Sequence, residues 1–167
     1  MLKEINHSEL KENMFNIIGR NWMLLTAGNE EKLNTMTISW GGTGILWNKP
    51  VAFVFVRPQR YTKEFIDSNK YFTMSGYSDE MRPAIKFCGR NSGREIDKIK
   101  ETGLIPVFEE KAPYFKQAKL VLVCRKLYAQ ELSESSVIDY NLLEYYSNND
   151  YHTMYVAEIV KVLVDEQ

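Results

Sequence analysis

The sequence predicts an α+β fold, mainly β, in which helices are inserted into a β-barrel. Apolar and hydroxyl side chains alternate with a period of two near the start of the chain, and a long β-rich segment closes it. Helix-start signals are concentrated in the middle third. Strands at both ends with helices between them favour a barrel over a doubly wound sheet, in which strands and helices would alternate.

The first third of the chain carries three strand signals. Residues 21–28 (NWMLLTAG) lead through a Gly28-Asn29 turn into residues 34–40 (NTMTISW), and this pattern predicts a β-hairpin. Residues 51–56 (VAFVFV) are continuously apolar and rich in β-branched and aromatic residues. Such a run predicts a strand that is covered on both faces.

Two hydroxyl residues in the middle third mark helix starts. Thr62 is expected to cap a short helix that ends near Asn69. Ser78 is expected to cap a second helix, which carries Ile85 and Phe87. Both assignments rest on the preference of short hydroxyl side chains for the position before the first helical turn.

A third helix start is predicted where residues 92–95 read SGRE. Ser92 and Glu95 have the spacing of a capping box, in which each side chain satisfies a backbone amide of the other. The helix that follows should run to Thr102, with Gly103 as its C-terminal stop.

The remaining segments complete a single domain over residues 1–167. Residues 71–77 (YFTMSGY) and 119–132 (KLVLVCRKLYAQEL) predict strands. A helix is expected around 136–146, and residues 152–164 (HTMYVAEIVKVLV) predict the closing strand. No internal repeat or linker divides the chain.

Composition bounds the class of protein. Hydrophobic residues make up 44% and charged residues 26% of the chain, as in ordinary soluble domains, and the formal net charge is −1. No sequence-wide positive charge favours nucleic acid or an anionic membrane. The longest apolar runs are too short to span a bilayer, and the charged N-terminus lacks a signal core. Cys88 and Cys124 form neither a disulfide framework nor a zinc motif, so we expect a cytoplasmic, metal-free protein.

Several catalytic motifs are absent from the sequence. The glycine segment 41–44 (GGTG) lacks the third glycine of a dinucleotide fingerprint, because that position is Trp47, and it lacks the Gly-Lys-Ser/Thr of a phosphate loop. There is no G-x-S-x-G elbow, and only His7 and His152 could act as a histidine base. Hydrolytic or acyl-transfer chemistry therefore has little support.

The first candidate binding segment is the strand over residues 34–40. Its period of two places hydroxyl groups on one face and large apolar groups on the other, ahead of two glycines that allow a ligand close to the backbone. The hydroxyl residues are Thr35, Thr37 and Ser39, and the apolar residues are Met36, Ile38 and Trp40. The hydroxyls and backbone could contact a flat heteroaromatic edge, although an ordinary amphipathic strand gives the same pattern.

The second candidate segment is RPQRYT at residues 57–62. Arg57 and Arg60 precede the helix that Thr62 is expected to cap. A helix N-terminus with flanking arginines favours a phosphate. A solvated basic turn is the equally weighted alternative.

The third candidate segment is CGRNSGREIDK at residues 88–98. Arg94 and Lys98 are spaced i, i+4, so on the predicted helix they share a face, with Ile96 and Ile99 on the buried side. An anion between the two cations would relieve their repulsion, but neighbouring acidic residues could neutralise both. One phosphorylated aromatic ligand accounts for all three segments together.

From about Asn21 to Val164 the sequence resembles the flavin reductase-like family, the FMN-binding split β-barrel group that includes the flavoredoxins. Five segments occur in family order, which makes the set more specific than any one of them. They are NTMTISW (34–40), KPVAFVFVRPQRYT (49–62), YFTMS (71–75), CGRNSGREIDK (88–98) and HTMYVAEI (152–159).

The resemblance implies a homodimer with FMN near the subunit interface. It assigns the isoalloxazine and ribityl contacts to Thr35, Met36, Thr37 and Ser39, with Trp40 nearby. It associates the ribityl phosphate with Arg57, Tyr61 and Thr62, and a later anion-binding segment with Ser92, Gly93, Arg94 and Lys98. Asn48 and Cys88 are further expected neighbours of the cofactor.

The resemblance also directs attention to His152. Reductase members often carry Gly-Asp-His before the last strand, near the nicotinamide, whereas this chain reads Asn149-Asp150-Tyr151-His152. His152 is therefore interpreted as a structural histidine, with a catalytic role as the alternative. Cys88 is interpreted as a small buried residue rather than a redox thiol.

Three functions are compatible with these patterns. The leading hypothesis is an FMN-dependent oxidoreductase that accepts hydride from NAD(P)H and passes electrons to a small acceptor or a flavin, since the cofactor supplies the chemistry and no triad or metal is needed. The runner-up is a flavoredoxin-like carrier that holds FMN tightly, exchanges electrons with a protein partner and does not use NAD(P)H directly. The third is a barrel that binds a ligand without turnover.

Overall fold

The computed structural model describes residues 1–165, and residues 166–167 of the predicted domain lie outside this described part. Strands dominate the structure. Those formed by the described residues are β1 (Leu2–Ile5), β2 (Met23–Gly28), β3 (Leu33–Ile38), β4 (Gly41–Leu46), β5 (Lys49–Val56), β6 (Tyr71–Gly76), β7 (Pro106–Val107), β8 (Tyr114–Phe115), β9 (Leu120–Glu131) and β10 (Thr153–Asp165).

Among residues 1–165 the helices are short, and three of the four α-helices lie between β5 and β9. The α-helices are α1 (Met14–Asn16), α2 (Thr62–Ser68), α3 (Arg82–Arg90) and α4 (Lys98–Thr102), with a π-helical turn at Ile17–Asn21 after α1. The 3-10 helices are His7–Glu9, Asp79–Met81, Glu134–Ser136 and Tyr140–Tyr146.

Eight strands form one antiparallel sheet, and β7 and β8 form a small second one. The large sheet runs β3-β2-β6-β9-β10-β5-β4, with β1 added beside β10. The terminal strands β3 and β4 are consecutive in the chain, so the sheet must curl back on itself. Its inward side chains, from Met36 on β3 to Val54 on β5, belong to one continuous core. The predicted mainly β, α+β barrel is confirmed.

A second core covers the outer face of part of the sheet. Ile85 and Cys88 of α3 pack there against Leu24 of β2 and Val121 of β9. Every residue of β2 is consequently buried. α3 packs on β3 as well, where Thr37 Oγ1 donates to the carbonyl of Ile85, and the backbone edge of β3 that faces away from β2 lies near the end of β5.

The strand predictions hold with one correction. The hairpin of β2 and β3 is confirmed, with Thr26 opposite Thr35, as are the strands β6, β9 and β10. The prediction that both faces of residues 51–56 are covered is wrong, because Phe53 and Phe55 are only half-buried. Within residues 1–165, β2 is covered on both faces, as are residues 72–76 of β6, and α3 packs outside β2 rather than outside β5.

The predicted side-chain caps of the first two helices are wrong. Thr62 is the first residue of α2 instead of its cap, and its Oγ1 accepts a hydrogen bond from Asn34 Nδ2 at 2.9 Å. Ser78 precedes a 3-10 turn without making a side-chain cap, and α3 begins later, at Arg82, with Pro83 in its first turn. Ile85 and Phe87 do lie on this helix.

The predicted capping box is also wrong. Ser92 Oγ accepts from the amide of Arg94, so residues 92–97 form a turn, and α4 begins at Lys98 with the Asp97 carboxylate accepting from Lys100 N. Arg94 and Lys98 therefore do not share a helix face. The C-terminal stop is confirmed, because Gly103 takes the left-handed conformation with φ 66°.

The segment predicted to be helical at 136–146 forms 3-10 turns at Glu134–Ser136 and Tyr140–Tyr146. Four exposed or half-exposed large side chains lie here: Ile138, Tyr140, Leu142 and Tyr145. Among residues 1–165, no helix has the length and apolar character required to cross a bilayer.

Candidate functional site

Strand β3 lies at one end of the large sheet and has a free backbone edge. Within the described residues β3 pairs with β2 alone, so alternate backbone groups on its other side have no strand partner. Lys98 Nζ donates to Thr35 O from that side at 2.8 Å. Because antiparallel backbone groups alternate in direction, the amides and carbonyls of Thr37 and Ser39 are expected to face the same way as the Thr35 carbonyl.

A cavity of about 240 Å³ lies along this edge and is called the β3 cavity below. Its wall combines strand backbone, aromatic rings and cationic side chains. The residues that line it are Met36, Thr37, Ile38, Ser39, Trp40, Phe55, Arg57, Arg60 and His152. β3 and β5 are brought together here by the curl of the sheet, and the histidine is the residue just before β10, whose first residue, Thr153, pairs with Val56.

The predicted row of ligand-binding hydroxyls is not available in this structure. Thr35 Oγ1 is fully buried and bonded to Thr26 Oγ1 at 2.9 Å, and Thr37 Oγ1 donates to the carbonyl of Ile85 in α3. These hydroxyls hold β3 to its neighbours. Ser39 alone of the three retains a side chain on the cavity without such a partner within the described residues. The hydroxyls of Thr35 and Thr37 are therefore used within the fold, and the cavity is lined by the backbone edge of β3 together with Ser39.

Arg57 lines the β3 cavity but is already neutralised. Its Nη1 lies 2.8 Å from Asp150 Oδ2, and its Nη2 donates to Tyr145 O at 3.0 Å. The guanidinium also lies 5.2 Å from the ring centre of Tyr146. The role of Arg57 in this chain is therefore to join β5 to the segment before β10.

Arg60 is the cation that remains without a carboxylate. Its Nη1 donates to Gly89 O at 2.9 Å, and within residues 1–165 no carboxylate pairs with it. Burial lowers the pKa of its guanidinium, because the charged form loses hydration. An arginine keeps its charge in proteins, so Arg60 presents uncompensated positive charge to the β3 cavity.

His152 lies at the other side of the cavity and is buried. Its Nδ1 is 2.9 Å from Tyr146 Oη, and its ring centre is 5.2 Å from that of Trp40. Burial, assisted by the charge of Arg57, lowers the pKa of His152 to about 4. The imidazole is therefore neutral at pH 7 and can donate or accept a hydrogen bond without carrying charge.

Lys98 contacts β3 at its free backbone edge. Only 4% of its surface is exposed, and Nζ donates to both Thr35 O and Cys88 O at 2.8 Å. Burial, with a smaller effect from the charge of Arg60, lowers the pKa of Lys98 to about 8. Lys98 and Arg60 thus place two positive charges on the same side of β3.

A second cavity of about 420 Å³, called the loop cavity, lies between the β2–β3 turn and the start of α4. Tyr61, which the sequence analysis grouped with Arg57 and Thr62, lines it together with Gly93, Arg94 and Lys98 of the third segment. Its charged lining also includes Glu30, Glu31, Lys32, Glu95 and Asp97. The Arg94 guanidinium is paired with Glu64 and lies over the ring of Tyr61. With more acidic than basic side chains, the loop cavity is poorly suited to a phosphate.

The structure therefore divides the predicted site residues. Met36, Thr37, Ser39, Trp40, Arg57 and His152 meet at the β3 cavity, whereas Tyr61, Gly93, Arg94 and Lys98 line the loop cavity. Thr35 and Thr62 are buried behind β3, and Ser92 is in the turn before α4. Neither of these two cavities, among residues 1–165, contains both groups.

Two of the predicted neighbours of the ligand are not at either cavity. Asn48 lies in the β4–β5 hairpin turn, where Trp47 and Asn48 have φ of 53° and 55°, at the far end of β5 from His152. Cys88 is fully buried in the outer core, and burial raises the pKa of its thiol. This burial agrees with its interpretation as a packing residue.

Three lining residues were absent from the predicted site. Arg60 belongs to the RPQRYT segment but not to the predicted cofactor contacts, because the segment alone does not show which arginine is paired with a carboxylate. Phe55 and Ile38 follow from the alternation of β5 and β3 once it is known which face the cavity occupies. The alternation can be recognised in the sequence, but the face that the cavity occupies cannot.

The comparisons with known proteins agree with the β-barrel described above. A family model described as "Flavin reductase like domain" matches residues 15–167. A flavoredoxin from Methanosarcina acetivorans is 25% identical, with a TM-score of 0.70 over 98% of this chain and 75% of that one. The flavoredoxin of Desulfovibrio vulgaris (Miyazaki F) is 22% identical, with a TM-score of 0.67 over 87% of this chain and 69% of that one.

More distant structures show the same fold. An NADH:FAD oxidoreductase from Streptomyces globisporus C-1027 is 14% identical, with a TM-score of 0.64 over 87% of this chain and 76% of that one. No curated protein matches the sequence. The fold shared with the solved structures is the split β-barrel. A family match over nearly the whole chain, on a barrel whose open edge carries this cavity, shows that the chain belongs to the flavin reductase-like family.

Proposed function

We propose that this protein is an FMN-binding oxidoreductase whose cofactor lies in the β3 cavity. The single observation that carries the proposal is the free backbone edge of β3 beside the unpaired guanidinium of Arg60. The uracil-like edge of a flavin alternates hydrogen-bond donors and acceptors, which matches the alternation of amides and carbonyls along a strand edge. Arg60 then supplies the charge that a phosphate requires.

The residues present fit FMN in chemistry, and the cavity fits it only in part. About 240 Å³ is less than the roughly 300–1,000 Å³ usual for a ligand site, and the cavity is open to solvent. Exposed apolar side chains lie close by on α1 and at the end of β3, including Phe15 at 92% and Trp40 at 44% exposure. We therefore propose that a second copy of the chain covers this face, which makes FMN an interface ligand of a homodimer.

Bound FMN would supply hydride and electron transfer. Along the strand, the backbone of Thr37 and Ser39 would orient the flat ring, and Trp40 and Phe55 would exclude water from it. Lys98 and Arg60 place positive charge on the free-edge side of the same strand, which favours negative charge on a ring bound there. His152, neutral at pH 7, would hold a hydrogen bond at the opposite wall.

For the electron donor we propose NAD(P)H, with a small molecule or a flavin as the acceptor. Support comes from the family and from the NADH:FAD oxidoreductase that shares the fold. His152 lies at the β3 cavity despite the altered residues before it, so a nicotinamide would have a polar contact there.

A flavoredoxin-like carrier without direct NAD(P)H use is the second candidate, and one observation favours it. The charge of Arg57 is taken up by Asp150, which leaves Arg60 as the unpaired cation that lines the β3 cavity among the described residues. One such cation suffices for the phosphate of FMN but leaves none for the diphosphate of a dinucleotide. The flavoredoxin of 25% identity is consistent with this alternative.

Visible spectroscopy separates these functions. The purified protein is mixed with FMN, desalted, and then treated anaerobically with NADH, NADPH and finally dithionite. The reductase predicts retained flavin absorbance that bleaches with one nucleotide, and the carrier predicts bleaching with dithionite alone. A protein that retains no flavin from excess FMN contradicts both.

A further inference from the structure

A third concavity, of about 720 Å³, lies beside the β3 cavity and is called the aromatic groove. Trp40 lines both spaces, so the two are contiguous. The remaining lining residues come from the segment between β9 and β10: Leu132, Ser133, Ser136, Val137, Ile138, Asp139, Leu142, Tyr145, Tyr146 and Tyr151. Its volume falls in the range of roughly 300–1,000 Å³ that is usual for small-molecule sites.

The aromatic rings of the groove are held in place by one another. Tyr146 and Tyr151 stack with ring centres 4.5 Å apart, and Tyr145 meets Trp40 edge-on at 5.5 Å. Tyr146 is fixed further by its hydrogen bond to His152. These contacts provide a preformed apolar wall, to which a flat apolar molecule can bind without first ordering the side chains.

The segment that lines the groove, residues 132–151, contains acidic but no basic residues. Between Lys126 and Lys161 the chain contains no lysine or arginine, and its acidic residues there are Glu131, Glu134, Asp139, Glu144, Asp150 and Glu158. Asp139 lines the groove itself. The cation that approaches from β5 is Arg57, and it is paired with Asp150 at 2.8 Å. The groove therefore disfavours anions and leaves uncharged molecules unaffected.

We propose that the aromatic groove is a binding site for an uncharged aromatic molecule and discriminates against anionic ones, nucleotides included. The occupant follows from three features of the groove: its concave volume, its ring-lined wall and its acidic surround. Binding of such a molecule does not require the cofactor. Its assignment as the small reaction partner of the flavin rests on the proposed function.

Isothermal titration of the cofactor-free protein with a matched pair of probes tests this proposal. The probes are 2-naphthol, which is uncharged at pH 7, and naphthalene-2-sulfonate, which has the same ring system with a negative charge. We expect one 2-naphthol per chain and binding of the sulfonate that is at least about tenfold weaker. Equal affinities for the two probes, or no 2-naphthol binding, would overturn the proposal.

Two variants locate the binding. Leu142→Asp places a charge in the groove and should weaken 2-naphthol about tenfold or more, whereas Ile45→Asp, on an exposed position of β4, should leave it unchanged. Unchanged binding by Leu142→Asp would place the probe elsewhere and overturn the proposal. Conversion of a dimer to a monomer by Leu142→Asp would also overturn it, since the groove would then be an interface between copies.

Retention of FMN by the same proteins keeps the two proposals distinguishable. Wild type that binds 2-naphthol but retains no FMN would support the groove and contradict the proposed cofactor. Wild type that retains FMN but does not bind 2-naphthol would do the reverse.

Discussion

The ammonium group of Lys98 donates to the backbone carbonyl of Thr35 at 2.8 Å, at the free backbone edge of β3. The same group donates to Cys88 O at 2.8 Å, so one buried charge joins α3 to β3 through α4. This contact anchors the strand whose backbone we propose as the recognition surface for FMN.

Lys98 should make stability depend on alkaline pH. Burial lowers its folded pKa to about 8, below the unfolded value of 10.5, so between these pH values the unfolded state binds more protons. The free energy of unfolding of the wild type should therefore rise relative to that of Lys98→Met as pH increases from 8 to 10. Urea unfolding of both proteins at pH 7, 8, 9 and 10 measures the difference, and parallel pH curves would contradict it.

His152 should act in the acidic range with the same direction of slope. Its folded pKa of about 4 lies below the ordinary histidine value of 6.5, so the stability from keeping it neutral is complete above pH 6.5 and is lost as pH falls towards 4. The His152→Asn variant should lose less stability than the wild type over this range. Denaturant unfolding from pH 7 to 4.5 provides the measurement.

The control for this experiment is His7→Asn, which removes the other histidine, exposed in the N-terminal 3-10 turn. It should follow the wild-type curve. A His152→Asn curve that also follows the wild type would show that the buried imidazole takes up its proton as readily as in the unfolded chain.

Arg60 and Arg57 should differ in their effect on cofactor affinity. Arg60→Ala should weaken FMN by about 10- to 100-fold, the equivalent of a charge-assisted hydrogen bond of roughly 1.5–3 kcal/mol, and should change riboflavin little. Arg57→Ala should have the smaller effect, because Asp150 already balances its charge. Quenching of flavin fluorescence gives both dissociation constants. Equal losses for FMN and riboflavin in Arg60→Ala would remove the phosphate role.

Gly93 should be required for packing. A methyl group there would overlap Asn34 Oδ1, and Asn34 is buried with its Nδ2 bonded to Thr62 Oγ1. We expect Gly93→Ala to lower the free energy of unfolding by about 1–3 kcal/mol, as overpacking does in well-packed sites. Gly42→Ala is the matched control, since nothing lies within 4 Å of its added carbon. Thermal unfolding of the two variants should differ clearly; similar midpoints would contradict the packing role.

Much of the fold was predictable because it depends on local patterns. The period-two alternation located β3, and the glycine after Thr102 ended α4 where expected. The caps failed because a serine or threonine can bond to any nearby donor. The Ser92 hydroxyl accepts a hydrogen bond within a turn, and the hydroxyl of Thr62, on α2, accepts one from Asn34 on β3. Those partners are set by tertiary packing, which the sequence does not display.

The candidate site shows the same limit. The residues of the β3 cavity were mostly identified, but the role of Thr35 and Thr37 was not, because their hydroxyl partners, Thr26 and Ile85, lie elsewhere in the chain. Likewise the sequence could not tell that Arg57 rather than Arg60 finds a carboxylate, since Asp150 is far from both in sequence. Which polar group is satisfied internally is a property of the folded chain.

A crystal structure of the protein with FMN tests the central claim most directly. We predict that the flavin ring lies along β3 and forms hydrogen bonds to backbone atoms within residues 36–39. Its phosphate should lie at Arg60, and a second copy of the chain should cover the β3 cavity. FMN held instead in the loop cavity, with its phosphate at Arg94 and no contact to the β3 backbone, would contradict it.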